Sequence, residues 1–109
     1  MRAPSRPLAA VLWVLTLAAP VASAQAPEPT ALRLRSLAAT CAQCHGTDGR
    51  PPAGSIVPGL AGSPEPALIE QMSAFKTGRR TGTVMPQLAR GFSDAQVRQL
   101  AAYFAAQTR

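Results

Sequence analysis

The stretch Cys41-Ala42-Gln43-Cys44-His45 decides how this chain folds, because it brings two thiols and an imidazole within five residues. It contains the only two cysteines and the only histidine of the 109 residues. The spacing Cys-x-x-Cys-His is typical of covalent haem attachment, in which two thiols add to the vinyl groups and the next histidine lies under the iron. We therefore predict one covalent haem c, attached through Cys41 and Cys44, with His45 as an iron ligand.

Two other uses of a Cys-x-x-Cys pair fit this sequence less well. A disulfide or thioredoxin-like dithiol typically occurs in a βαβ unit, and no alternating β-rich run precedes Cys41. A structural zinc site needs four ligands. Beyond these three residues the chain has no other Cys or His, so only carboxylates remain for the fourth ligand.

The N-terminus predicts export. Arg2 and Arg6 form a basic region, the run from Leu8 to Ala19 is apolar, and Ala22-Ser23-Ala24 is typical of a cleavage site. We predict a cleaved signal peptide over residues 1–24 and a single periplasmic domain over 25–109, outside the membrane. A retained anchor is the alternative, but the apolar run is shorter than the roughly 20 residues that span a bilayer.

Charge and size limit what the predicted domain can do. Without Arg2 and Arg6, nine basic and five acidic residues remain, so the net charge is +4 rather than the +6 of the full chain. No basic cluster is interleaved with aromatic residues, which excludes a typical nucleic-acid surface. A domain of this length builds only a marginal apolar core by itself, and a covalent haem would supply its centre.

The pattern predicts an all-α fold with three main helices and long loops. Residues 25–30 are interpreted as a loose leader in which Thr30 caps a helix that carries the cysteines. A second helix follows a capping Ser63 and ends near Gly78. The third begins with Ser93-Asp94-Ala95-Gln96, which fits a capping box.

The segment Ile56–Gly62 is short and apolar, as expected of chain lying against a haem edge. A proximal histidine usually donates its free ring N–H to a backbone carbonyl. We predict that the carbonyl of Pro58 accepts this bond from His45; the alternative is that Pro58 is an apolar loop proline with no role at the haem.

Two methionines are candidates for the second axial position on the iron. A methionine there gives a closed electron-transfer site, whereas an empty position binds gases or peroxide. Met72 lies at helical spacing from Leu68 and Phe75 and is predicted to fill the core. Met85 precedes Pro86 in a predicted loop, far enough from His45 in sequence to reach the other haem face. We predict that Met85 is the ligand.

Over essentially all of residues 25–109 the sequence resembles the class I c-type cytochromes. The segments that carry the resemblance are Cys41–Gly49, Pro58–Gly62, Leu68–Arg80, Val84-Met85, and Ser93-Asp94 leading into Leu100–Phe104. The sequence is most similar to the cytochrome subunit of flavocytochrome c sulfide dehydrogenase and to the haem domains of bacterial dihaem cytochromes. With a single haem motif, it corresponds to a monohaem version.

This resemblance implies the small cytochrome c fold, wrapped around one haem. It also assigns Met85, nine residues before Asp94, as axial ligand and Pro58 as the partner of the histidine. The implied function is periplasmic single-electron transfer without catalytic residues. The expected partners are redox proteins, among them a flavoprotein sulfide dehydrogenase that the chain would serve as subunit or acceptor.

A haem sensor or peroxidase-like protein with an open distal face is the alternative function. A peroxidase needs a distal histidine or arginine, and His45 is already used. Only Arg79, Arg80 or Arg90 could supply that group.

Overall fold

The computed structural model describes residues 28–109, in which the only regular secondary structure is helical. Four α-helices and one 3-10 turn follow in chain order: α1 Pro29–His45, the 3-10 turn Thr47–Gly49, α2 Glu65–Lys76, α3 Met85–Arg90 and α4 Asp94–Ala105. No strand occurs within residues 28–109, so the predicted all-α class is confirmed there. None of these helices is long and apolar enough to cross a bilayer.

The first helix begins earlier than its sequence pattern predicts. The predicted signal peptide, residues 1–24, lies outside the described residues, as do residues 25–27 of the predicted leader. Pro29 and Thr30 belong to α1, so the assignment of Thr30 as a cap is wrong and α1 begins within the range predicted as the leader. Proline suits this place because its fixed φ matches a first helical turn, where its missing N–H is not needed.

Proline also determines the start of α2. The residue before this helix is Pro64, with no side-chain cap, so the predicted capping role of Ser63 is wrong. Instead, the Ser63 N–H donates to the carbonyl of Leu60 at 3.1 Å. The capping box of α4 is confirmed, since the Ser93 N–H donates to the Gln96 side chain at 2.8 Å and the Gln96 N–H donates to Ser93 Oγ at 3.2 Å.

The short helix α3 replaces part of a predicted loop. The carbonyl of Val84 accepts the N–H groups of Gln87 and Leu88 at 3.0 and 3.1 Å, which closes the first turn. Pro86 is one of the first two residues of this helix, a position that proline tolerates. Met85 is therefore the first residue of a helix rather than a loop residue.

The buried core lies where α1, α2 and α4 meet. It consists of Ala38 from α1, Leu68 from α2, and Leu100, Ala101 and Phe104 from α4. Half-buried apolar side chains surround it, Cys41 among them. The core therefore anchors the helix that carries the cysteines to the C-terminal helix.

Candidate haem-binding site

Both cysteines lie in the last turns of α1, and both thiols are free. Three residues apart on a helix, they lie on neighbouring positions of one face. Cys44 is exposed, whereas Cys41 is half-buried against the core. Burial raises the pKa of the Cys41 thiol above its usual value, while a weak contact with the Thr40 hydroxyl, 3.9 Å from the sulfur, opposes this rise. The two thiols thus occupy different environments on one helical surface.

Glycine ends α1 directly after the histidine. Gly46 has φ +77°, and its N–H donates to the carbonyl of Ala42 at 3.0 Å. A Cβ added here would lie 2.0 Å from the carbonyl oxygen of Arg50. Only glycine accommodates this close approach, which returns the chain toward the haem motif.

The imidazole of His45 is held by the residue predicted from sequence. Its Nδ1 lies 2.7 Å from the carbonyl oxygen of Pro58, and because a carbonyl can only accept, Nδ1 carries the proton. In the neutral ring, Nε2 is then the unprotonated nitrogen, with its lone pair available to a metal. The structure brings His45 and Pro58 together across 13 residues.

The loop that carries Pro58 is closed at its base by one buried glycine. The carbonyl of Gly49 accepts the N–H groups of Leu60 and Ala61 at 2.8 and 3.1 Å. The next N–H, that of Gly62, donates to the carbonyl of Phe104 in α4 at 2.9 Å. The position of the Pro58 carbonyl therefore depends on the 3-10 turn and on the C-terminal helix.

Met85 is half-buried at the start of α3, and the chain before it is packed closely on α2. A Cβ added to Gly82 would lie 3.1 Å from the Phe75 ring and 3.3 Å from Pro86.

Met72 is also half-buried, but Leu68 is the only buried residue of α2 and Met72 lies outside the core cluster. This corrects the prediction that Met72 fills the core.

The three arginines considered as distal groups each contact a neighbouring side chain. Arg79 donates to Glu70 at 2.8 Å, and Arg90 donates to Gln87 Oε1 at 3.3 Å. The Arg80 guanidinium lies 4.8 Å from the centre of the Phe75 ring. A peroxidase-like distal role would require one of these contacts to break.

The residues of this region fit a covalent haem. The donor set contains two free thiols on one helical turn, an imidazole of defined tautomer and two half-buried thioethers. Large apolar side chains are exposed: Ile56 completely, Val84 to 55% and Leu88 to 45%. Within residues 28–109 no large side chain is completely buried. A porphyrin is the kind of flat apolar group that such a chain can enclose.

One contact of this region has no counterpart in the sequence prediction. The Tyr103 hydroxyl in α4 donates to Asp48 Oδ1 in the 3-10 turn. The two residues are 55 positions apart, and no local pattern pairs them. The only sequence signal was that Asp48 directly precedes Gly49, three residues after the end of the haem motif.

Comparison with known proteins places this chain among haem proteins. Residues 34–104 match the family described as cytochrome c oxidase, cbb3-type, subunit III. Cytochrome c4 of Pseudomonas aeruginosa is 46% identical over 70 residues, which cover 64% of this chain and 34% of that protein. The cytochrome subunit of sulfide dehydrogenase from Chlorobaculum tepidum is 37% identical over 68 residues, covering 62% of this chain and 60% of that protein.

A solved structure supports the same relationship. It is described as a cytochrome c4 structure from Acidithiobacillus ferrooxidans that supports a complex-induced tuning of electron transfer. The TM-score is 0.57 at 36% identity, and the match covers 61% of this chain and 37% of that chain. The matched region is thus less than two thirds of the length of each of these relatives.

Proposed function

Because this chain belongs to the cytochrome c family, whose members bind haem c covalently and transfer electrons, we propose that it is a periplasmic single-electron carrier with His45 and Met85 as axial ligands. The haem supplies the one-electron couple when bound. The protein supplies two thiols for attachment, two axial ligands and an apolar environment that excludes water.

The contact between His45 and Pro58 is the observation that carries this proposal. It leaves Nε2 of His45 for the iron, and a hydrogen bond at Nδ1 increases the basicity of the ligating nitrogen. A more basic ligand favours ferric iron. The second axial ligand must then compensate if the carrier is to work at a positive potential.

Met85 meets this requirement better than Met72. A thioether is a soft ligand that favours ferrous iron and raises the reduction potential. Met85 begins a short helix, and the chain before it runs against Phe75 through Gly82, which limits the positions open to its sulfur. Met72 sits in the middle of α2, four residues after Leu68, which is buried in the core.

The periplasmic location rests on the N-terminal sequence. Covalent attachment of haem c takes place after export, and residues 1–24 have the pattern of a signal peptide. We therefore expect the haem-loaded protein to begin at Gln25.

The partner we propose is a flavin-containing dehydrogenase that oxidises a reduced sulfur compound. The support is the similarity to the sulfide dehydrogenase subunit and the surface near the haem motif. Ile56 is fully exposed there, and Ala42, Gln43 and Val57 carry no charge. A small uncharged contact of this kind suits a short-lived electron-transfer complex. Chemical cross-linking of the haem-loaded protein to a flavin-containing protein in native periplasm would support this partner, because cross-linking traps a short-lived complex.

The axial ligation is tested by replacing each methionine in protein purified from the periplasmic fraction. In the oxidised state, methionine sulfur bound to ferric haem gives a weak far-red charge-transfer band. We expect this band in the wild type and in Met72→Leu, the matched control, and its loss in Met85→Ala together with a lower reduction potential. Retention of the band in Met85→Ala would contradict the proposed ligand set.

A further inference from the structure

We propose that the Tyr103 hydroxyl and the Asp48 carboxylate form a positioning pair that holds the Pro58 carbonyl against His45. This inference rests on the proposed axial role of His45. It assigns a role in tuning the haem to two residues that do not contact the imidazole themselves.

The pair links the C-terminal helix to the turn that follows the haem motif. Tyr103 donates to Asp48 Oδ1, while the other carboxylate oxygen lies 3.7 Å from an Arg50 nitrogen. A hydrogen bond to a charged acceptor is stronger than one between neutral groups. The backbone of Asp48 is left-handed, with φ 54° and ψ 26°, a conformation that is uncommon for non-glycine residues but that aspartate adopts more readily than most.

The restraint on Asp48 passes to Pro58 through the backbone. Gly49 follows Asp48, and its carbonyl accepts the N–H groups of both Leu60 and Ala61. Leu60 is two residues beyond Pro58, so rotation of the Asp48-Gly49 region would displace the Pro58 carbonyl. The path from Tyr103 to His45 therefore consists of hydrogen bonds and short backbone segments only.

A second anchor keeps the loop folded when the pair is broken. Arg50 Nε donates to the Thr108 carbonyl at 2.8 Å, and Arg50 Nη2 donates to the Thr108 hydroxyl at 3.2 Å. Loss of the Tyr103 hydroxyl should therefore loosen the contact between His45 and Pro58 without unfolding the domain. A weaker contact makes the imidazole less basic, which destabilises ferric iron and raises the reduction potential.

The test follows the His45 Nδ1 proton in the reduced, haem-loaded protein by ¹⁵N-edited NMR. In Tyr103→Phe we expect this proton to exchange with solvent about ten-fold faster than in the wild type, a factor in keeping with the loss of one hydrogen bond. The reduction potential should also rise. Asp48→Asn retains an acceptor oxygen for Tyr103 but loses its charge, so its effects should be intermediate.

Thr77→Val is the matched control, because it removes a hydroxyl that donates to the Ser73 carbonyl at 2.8 Å on α2, away from this path. Equal His45 exchange in Tyr103→Phe and Thr77→Val would overturn the inference. A parallel increase in all slowly exchanging backbone amides would also overturn it, because Tyr103 would then only stabilise the fold. If wild-type His45 lacks the ring signals that an iron-bound imidazole shows, the proposed function itself fails.

Discussion

At the residue scale, position 49 has no room for any side chain, so only glycine fits there. Gly49 is buried with φ +79°. An added Cβ would lie 2.8 Å from the Ala61 nitrogen, 2.9 Å from Leu60 Cβ and 3.0 Å from the Phe104 ring. The glycine allows its carbonyl to reach the two amides that close the loop.

We therefore predict that Gly49→Ala destabilises the haem-loaded protein by about 2–4 kcal/mol, through left-handed strain and overpacking. Gly54→Ala is the control, because Gly54 has φ +81° but nothing within 4 Å of the added Cβ. Its cost should be about 1 kcal/mol, from strain alone. Urea unfolding followed by circular dichroism measures both, and equal losses would show that packing at Gly49 is unimportant.

At the element scale, one lysine joins the end of α2 to the start of α4. Lys76, the only lysine in the chain, donates to the Phe92 carbonyl at 2.9 Å and to Asp94 Oδ1 at 2.8 Å. Its side chain is only about one-third exposed. The contact limits the movement of the segment that includes α3 and, at its first residue, Met85.

The Lys76 contact predicts a pH-dependent contribution to stability. The hydrogen bond from Lys76, followed by its charge, lowers the pKa of the Asp94 carboxyl from its ordinary value of 3.8. The folded pKa is thus below the unfolded one, so the pair stabilises the protein above pH 3.8 and this contribution is lost as pH falls through the folded pKa. Asp94→Asn should be less stable than the wild type near neutrality, and the difference should shrink in acid.

Thermal unfolding across this pH range measures the difference, and Lys76→Met should show the same trend. Glu70→Gln is the control, since the pair of Glu70 with Arg79 has the same 2.8 Å length but lies between two side chains more than half exposed. A difference between wild type and Asp94→Asn that does not change with pH would refute the role of the ion pair.

At the scale of the whole molecule, the protein part of the core is small. Four of the eight buried hydrophobic residues within 28–109 are alanines, namely Ala38, Ala61, Ala89 and Ala101. Little apolar area is therefore removed from water by side chains alone, and a short chain has few other means of stabilisation. The covalent haem should supply much of the missing apolar contact.

We predict that the double variant Cys41→Ser, Cys44→Ser, which cannot bind haem covalently, loses most of its helical circular dichroism and its cooperative thermal transition. Met85→Ala is the control, because it keeps both thioether attachments and should remain folded. A haem-free variant with wild-type helix content and a sharp transition would show that the protein core suffices.

Local sequence determined the haem attachment site, the helix that carries it and the capping box of α4, because each depends on residues within about one helical turn. The contact between His45 and Pro58 was also predictable, since a proximal histidine needs a carbonyl and the chain offers a short apolar loop. The helical state of Met85 was not, because a proline after it is equally compatible with a loop and with a first helical turn. The bond between Asp48 and Tyr103 and the double contact of Lys76 were decided by the tertiary structure alone, because packing of the helices brings together groups that no local pattern relates.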